Sequence, residues 1–273
     1  MTVAHRARRA RHAARRVRQT VTDFDNGAAL LTGMARGRLA GTPDELTFRV
    51  DGLAVTVPNR KGARVPVYEV FAEDAYRLGW FLSGLGDAPV VVDIGGHVGC
   101  FSLAVASRLP GARVSAYEAS PSTAAYLERN VAANALTGRI STHATAVGPT
   151  AGFLEFADND GGSALNGLTS PQGSTVIKVP CVTVAEAFDA AGGPDLVKID
   201  TEGAEYALVL ASAPETWAAV RRVVLEYHDV PQHSWGELET FFARAGLHQV
   251  AHLPENSRQG TVWLSRDDLP ASA

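Results

Sequence analysis

Cysteine, lysine and long apolar runs are all scarce in this 273-residue chain, and each shortage excludes something. Two cysteines, Cys100 and Cys181, cannot build a disulfide framework or a Cys-rich zinc site. They read as small apolar fillers, and a reducing cytoplasm is the expected compartment. Uncharged apolar runs such as Val223–Leu225 fall far short of the ~20 residues that cross a bilayer, so no membrane span is expected. Only Lys61, Lys178 and Lys198 are lysines among 25 basic residues. That arginine bias, with abundant Ala and Gly, points to a GC-rich bacterial genome more than to a function. A net charge of −4 excludes the all-over basic field of a dedicated nucleic-acid binder. What is present is 46% apolar sequence, enough for a substantial core in one large domain or two small ones.

The chain divides by its patterning. Seven arginines fall within the first eighteen residues (Arg6, Arg8, Arg9, Arg11, Arg15, Arg16, Arg18) with no apolar h-region behind them. This reads as a basic helical arm over 1–25 and not as a secretory signal; a solvated tail, a contact for nucleic acid, an anionic membrane surface or an acidic subunit face, and an Arg-rich transit peptide are all open. Over 26–87 a hairpin and helix form a preface or lid: Leu46–Val57 alternates around Asp51-Gly52, and Val67–Leu85 repeats apolar residues at helical spacing.

From 88 to 267 strands and helices alternate, namely strand Val90–Ile94, helix Cys100–Leu109, strand Arg113–Glu118, helix Ser122–Ala135 and strand Ile140–Val147. After a Gly-rich region come strand Leu196–Ile199, helix Ala204–Ala211, strand Arg222–Tyr227 and helix Trp235–Ala245. Leu247–Leu253 and Thr261–Ser265 have hairpin character. The expectation is an α/β fold with a mainly parallel sheet, helices on both faces and an antiparallel last strand, followed by a short tail over 268–273.

The first strand runs into Asp93-Ile94-Gly95-Gly96-His97-Val98-Gly99, where such a sheet binds nucleotides. A dinucleotide fingerprint is absent, because His97 and Cys100 stand where its second and third glycines belong. Asp93 beside the turn instead offers a carboxylate to an ammonium group, directly or through water, and Glu118 closes the second strand where an acid grips ribose hydroxyls. Those demands are the demands of S-adenosylmethionine. An ordinary tight turn is the bland alternative.

Four stretches resemble the FkbM-type methyltransferase family: Glu69–Tyr76, Val92–Ser102, Lys198–Glu205 and Leu225–His228. The resemblance implies a class I, Rossmann-like S-adenosylmethionine-dependent enzyme, many of whose relatives O-methylate natural products or sugars. Its expected cofactor contacts are Tyr76, Asp93, Gly95, Gly96, His97, Gly99, Glu118, Ala119, Ser120 and Asp200. His97 replaces the family's usual Asn, and Ala119 a common Pro.

Asp200, Glu202 and Glu205 crowd the end of one buried strand. Asp200 and Glu202 are expected to face the reaction centre, orienting an acceptor or holding a divalent ion, while Glu205 reads as helix capping. His228 ends the next strand, and an imidazole with an ordinary pKa of ~6.5 is the natural base for a hydroxyl proton. Tyr76 is the aromatic expected to face the sulfonium, with simple packing the alternative. The polar stretch 158–167 is expected to be a binding loop.

These residues predict O-methylation of a small-molecule acceptor, with His228, Asp200 and Glu202 as the catalytic set and the need for a metal open. Methylation of an amine, or a noncatalytic RNA- or partner-binding module, are the competing readings. Oligomeric state is open, and a homo-oligomer is compatible with the sequence.

Overall fold

The computed structural model describes residues 3–40, 43–60, 62–158 and 175–270. Two helices, α1 (Val3–Thr22) and α2 (Gly27–Ala40), precede a hairpin of β1 (Glu45–Val50) and β2 (Leu53–Pro58). Asp51 and Gly52 both take positive φ, 50° and 78°, the left-handed pair that a two-residue hairpin turn requires. In β1, Leu46, Phe48 and Val50 are buried in alternation with Thr47 and Arg49. Two asparagines bind this hairpin to the rest of the chain. Asn130 accepts the N–H of Thr56 and donates to the carbonyls of Thr56 and Val98, and Asn134 brackets Ala54 in the same way, all at 2.8–2.9 Å.

The arm is not a solvated tail along its second half. Arg16 donates to Glu73 at 2.7 Å and lies over the ring of Tyr68, whose hydroxyl bonds Thr20 at 2.7 Å. The helix expected over 67–85 is two short ones, α3 (Val65–Phe71) and α4 (Leu78–Phe81). The N–H groups of Ala72 and Glu73 both close on Tyr68 O, and the Asp74 carboxylate accepts Leu78 N–H at 2.9 Å. Between them Asp74 and Arg77 turn left-handed, which carries Tyr76 inward, where its carbonyl takes the indole N–H of Trp263. Periodicity alone could not register that break, since the apolar spacing continues through it.

The main sheet begins with β3 (Val90–Ile94), α5 (Cys100–Arg108), β4 (Arg113–Tyr117), α6 (Pro121–Ala133) and β5 (Ile140–His143). The chain then leaves the sheet. A separate three-stranded sheet contains β6 (Ala146–Val147), β7 (Gly152–Asp158) and β8 (Thr175–Val182) in the order β6-β8-β7, so the single strand expected over 140–147 is divided between two sheets. Of the expected binding loop, 159–167 lies outside the described residues.

α7 (Val184–Ala191), started by a Thr183–Glu186 capping box, leads to β9 (Leu196–Ile199), α8 (Glu205–Leu210), β10 (Arg222–Tyr227), α9 (Trp235–Arg244), β11 (His248–Pro254) and β12 (Gly260–Ser265). The seven strands stand in the order β11-β12-β10-β9-β3-β4-β5. Only β12 runs antiparallel to its neighbours, as expected for the last strand. This is the mainly parallel α/β arrangement expected from the sequence.

Helices and the hairpin cover both faces. On one, Leu103 and Leu127 pack with Phe48 and Phe81. On the other, the buried indole of Trp217 meets Phe188 and Phe242 edge-on at about 5 Å, contacts worth ~0.5–1.5 kcal/mol beyond burial. Strand order reverses at β3, which pairs with β4 on one side and β9 on the other. A crevice therefore opens beyond the carboxyl ends of those strands. Both cysteines are free and buried, and among the described residues no helix is long and apolar enough to cross a membrane.

Candidate active site

A cleft of about 400 Å³ occupies that edge, within the size range of small-molecule sites. Its floor is the turn after β3. Gly95 (φ 81°) and Gly96 both donate to Tyr117 O, at 3.0 and 2.8 Å, and a Cβ on Gly95 would lie 1.7 Å from the Asp200 carbonyl. Nothing larger than hydrogen fits there. Gly95, Gly96, His97, Glu118 and Ala119 line the cleft, as does Tyr76.

Three of the expected cofactor contacts stand behind this lining. Asp93 is completely buried; Ser102 Oγ donates to its Oδ2 at 2.6 Å, and the Lys198 ammonium stands 3.4 Å from its Oδ1 as an ion pair. Its Oδ1 is buried without a hydrogen-bond partner, and Asp93 does not line the cleft. Gly99 starts α5 with φ 95°, and Ser120 caps α6 by accepting Thr123 N–H; neither lines the cleft.

Glu118 accepts the N–H groups of His97 (2.8 Å) and Ser120 (2.9 Å). Burial nonetheless raises its pKa to about 7, the two N–H groups and Lys198 pulling the other way. His97, held at φ 48°, has both ring nitrogens buried without a hydrogen-bond partner. Burial lowers its pKa to about 4, so near neutrality the ring offers one N–H donor and one lone pair.

The opposite end is crowded with acids. Asp200 follows β9, Glu226 lies in β10, His228 follows it, and Glu69 reaches in from α3. Tyr76 donates its hydroxyl to Asp200 at 3.3 Å. Glu205 is wholly buried, and its carboxylate collects the N–H groups of Thr201 and Gly203, the Thr201 hydroxyl and His228 Nδ1, all at 3.0–3.1 Å. It therefore does more than cap a helix: it fixes the imidazole with Nε2 3.4 Å from Glu202 and 3.9 Å from Glu226.

Burial and mutual repulsion raise Glu69 to about 7 and Glu202 to about 8, and move Glu226 upward too. Burial pulls His228 down, but Glu205, Asp200 and Glu202 outweigh it and hold the ring well above the usual imidazole range. In the free protein His228 is consequently an imidazolium near neutrality.

Lys198 joins the two ends. Buried in β9, it donates to Gly95 O at 2.6 Å and stands 3.4 Å from Asp93 and 3.6 Å from Asp200. An unpaired buried ammonium costs several kcal/mol. Here burial is outweighed by Asp93, Asp200 and Glu226, and the pKa is pushed up to about 12.

Residues 93–248, more than half of the chain, match the methyltransferase FkbM domain. The chain belongs to that family. This FkbM methyltransferase is 27% identical over 223 residues to methyltransferase sdnD of Sordaria araneosa, covering 69% of this chain and 83% of the relative. Among solved structures it is similar to methyltransferase FkbM from Methylobacillus flagellatus KT (16% identity, 72% of this chain and 52% of that one, TM-score 0.48). It is also similar to an S-adenosylmethionine-dependent methyltransferase from Agrobacterium tumefaciens (12%, 82% and 71%, 0.48).

The FkbM methyltransferase is thus an S-adenosylmethionine-dependent enzyme, and the noncatalytic alternative falls away. Its residues fit that cofactor. The orphaned nitrogens of His97 are suited to a polar ligand group, Glu118 to hydroxyls, and the acidic end to a cation.

Sequence reasoning did not assign Lys198, Glu69 or Glu226 to the site. A signal existed for the first: a lysine inside the apolar strand Leu196–Ile199 must have buried partners. Glu69 and Glu226 carried only their place in the Glu69–Tyr76 and Leu225–His228 stretches of the family resemblance.

Proposed function

We propose that this methyltransferase acts on a hydroxyl of a small natural-product or sugar-type acceptor. S-adenosylmethionine supplies an electrophilic methyl group on a sulfonium. Gly95, Gly96, His97, Glu118, Ala119 and Tyr76 hold the donor, Glu118 taking the ribose hydroxyls and His97 the amino-acid end. Asp93, Gly99 and Ser120 support that surface from behind. Val65, Pro66, Leu154 and Phe156 form an apolar wall suited to the body of the acceptor.

His228 is the proton acceptor, with Asp200 and Glu202 orienting the hydroxyl. The observation that carries this reading is the Glu205–His228 bond of 3.0 Å, which fixes the tautomer and leaves Nε2 toward the cleft. The free protein holds this ring protonated, so it acts as a base only when a cation offsets the surrounding acids. The sulfonium provides that offset by Coulomb repulsion of the imidazolium proton.

Removing a general base costs ~10²–10⁴-fold in rate. His228→Ala should lower kcat by about that factor at saturating donor, with little change in the affinity for S-adenosylhomocysteine measured by calorimetry. A near-normal kcat would remove His228 from the mechanism.

A further inference from the structure

Asp200, Glu226 and His228 each bring one donor atom to within 4.8 Å of the other two, and all three line the same cleft. We propose that they hold a divalent first-row transition-metal ion such as Mn²⁺. The inference rests on the reading above for the place of the acceptor, beside these groups; in the ion-loaded chain His228 Nε2 is a ligand, and the proton-acceptor role belongs to the ion-free chain.

The imidazole is already set for that role. Fully buried Glu205, itself fixed by the N–H groups of Thr201 and Gly203, takes Nδ1–H and leaves Nε2 between Glu202 (3.4 Å) and Glu226 (3.9 Å), and an ion binding there displaces the Nε2 proton to solvent. A carboxylate behind the far nitrogen is the usual orienting partner of a metal-bound histidine. Two carboxylate oxygens and one imidazole nitrogen form a mixed donor set. Ca²⁺ and Mg²⁺ favour oxygen alone, whereas first-row ions accept both donor types, and three protein ligands leave positions open for water or an acceptor oxygen.

Ligands ~2.1 Å from an ion lie ~3 Å apart when adjacent. The present spread of 4.8 Å closes by modest torsion of Asp200 and Glu226, neither of which is fully buried.

Charge balance points the same way. Lys198 is the only lysine or arginine among the described residues that line the cleft, and it is engaged with Asp93 and Asp200. Glu202, Glu205 and Glu226 surround His228 at 3.4, 3.0 and 3.9 Å, while Lys198 and Arg16 act on Glu226 and Glu69 from farther away. An ammonium group on an acceptor would answer the carboxylates but would gain nothing from an imidazole nitrogen converging with them.

The test uses the full chain, stripped of metal by chelator and dialysis and titrated with MnCl₂ while the signal of free Mn²⁺ is followed by electron paramagnetic resonance. One Mn²⁺ per chain is expected. Affinity should fall at least tenfold in Glu226→Gln and in His228→Ala, and should hold in Glu155→Gln on the exposed face of β7. No uptake, or uptake indifferent to both site substitutions, overturns the proposal.

Should either variant unfold, Mn²⁺ broadening of the His228 ring signals in the wild-type chain reads the same contact, and unbroadened signals overturn it. Full-rate methylation of a hydroxyl in chelator, with no Mn²⁺ uptake, overturns the ion and leaves the acceptor chemistry standing. Single-site uptake with methylation confined to amines supports the ion and overturns the hydroxyl reading.

Discussion

The two ends of the cleft solve the same problem, carboxylates taken out of water, in opposite ways. At the glycine turn Glu118 is satisfied by two backbone N–H groups and faces a neutral imidazole. At the ends of β9 and β10, Asp200, Glu202, Glu226 and Glu69 stand together and repel one another. The first end is complete as a hydrogen-bonding surface, whereas the second is left short of positive charge. A donor whose ribose is neutral and whose sulfur is cationic matches that division, one end reading shape and the other reading charge.

The comparison breaks most completely at its shared floor. Gly95→Ala puts a methyl against the Asp200 carbonyl, which joins both ends. Backbone clashes of this kind fall in the class costing on the order of 4 kcal/mol or more. Chemical denaturation should register that loss, together with abolished binding of S-adenosylhomocysteine. A variant that stays as stable as wild type would mean that the turn and β9 move apart easily.

Glu118→Gln sharpens the contrast with His228→Ala. Hydrogen bonds to a charged group are worth ~1.5–3 kcal/mol, so cofactor affinity should weaken by roughly 10–100-fold. At saturating donor kcat should change little, the reverse of the pattern expected for His228. Calorimetry combined with initial rates checks both halves, and a kcat loss equal to the affinity loss would erase the distinction between the ends.

The dependence on pH probes both ends at once. The unfolded chain releases the protons of Glu69, Glu118 and Glu202 near the ordinary value of 4.5, whereas the folded chain keeps them to about 7, 7 and 8. Between those limits the folded state binds more protons, so stability falls as pH rises through the window. His228, raised in the fold, acts with the same sign above pH 6.5. Melting temperature should therefore decline from pH 5 to 8 in the ligand-free chain. Over the same range the preference for cationic S-adenosylmethionine over neutral S-adenosylhomocysteine should grow a few-fold. A flat ratio by calorimetry would place the sulfonium away from the acids.

Much of the sheet was legible because buried parallel strands leave β-branched runs, and β10 begins and ends where the pattern puts it, at Arg222 and Tyr227. The Asp51-Gly52 turn was equally plain. What failed depended on contacts distant in sequence. The three-stranded sheet pairs Gly152–Asp158 with Thr175–Val182 across the Gly-rich region, and neither strand had an obvious buried face to alternate against.

At the site, residue type and strand end were enough to bring Asp200, Glu202 and His228 together. They could not give the direction in which a carboxylate points. Asp93 and Glu205 show this from opposite sides, one turned inward away from the cleft and the other turned from a helix end onto the imidazole.

The scarcity of lysine turns Lys198 into a reporter. Lys178 is exposed on β8, while Lys198 is sealed beneath Gly95 O and between two aspartates. An acylating reagent entering the cleft can react with the second amine only when the ammonium leaves Gly95 O and the two aspartates and gives up its proton. Its rate of modification, read on a peptide map with few competing sites, is thus a clock for how often those three contacts let go, and a bound donor that covers the amine would slow that clock.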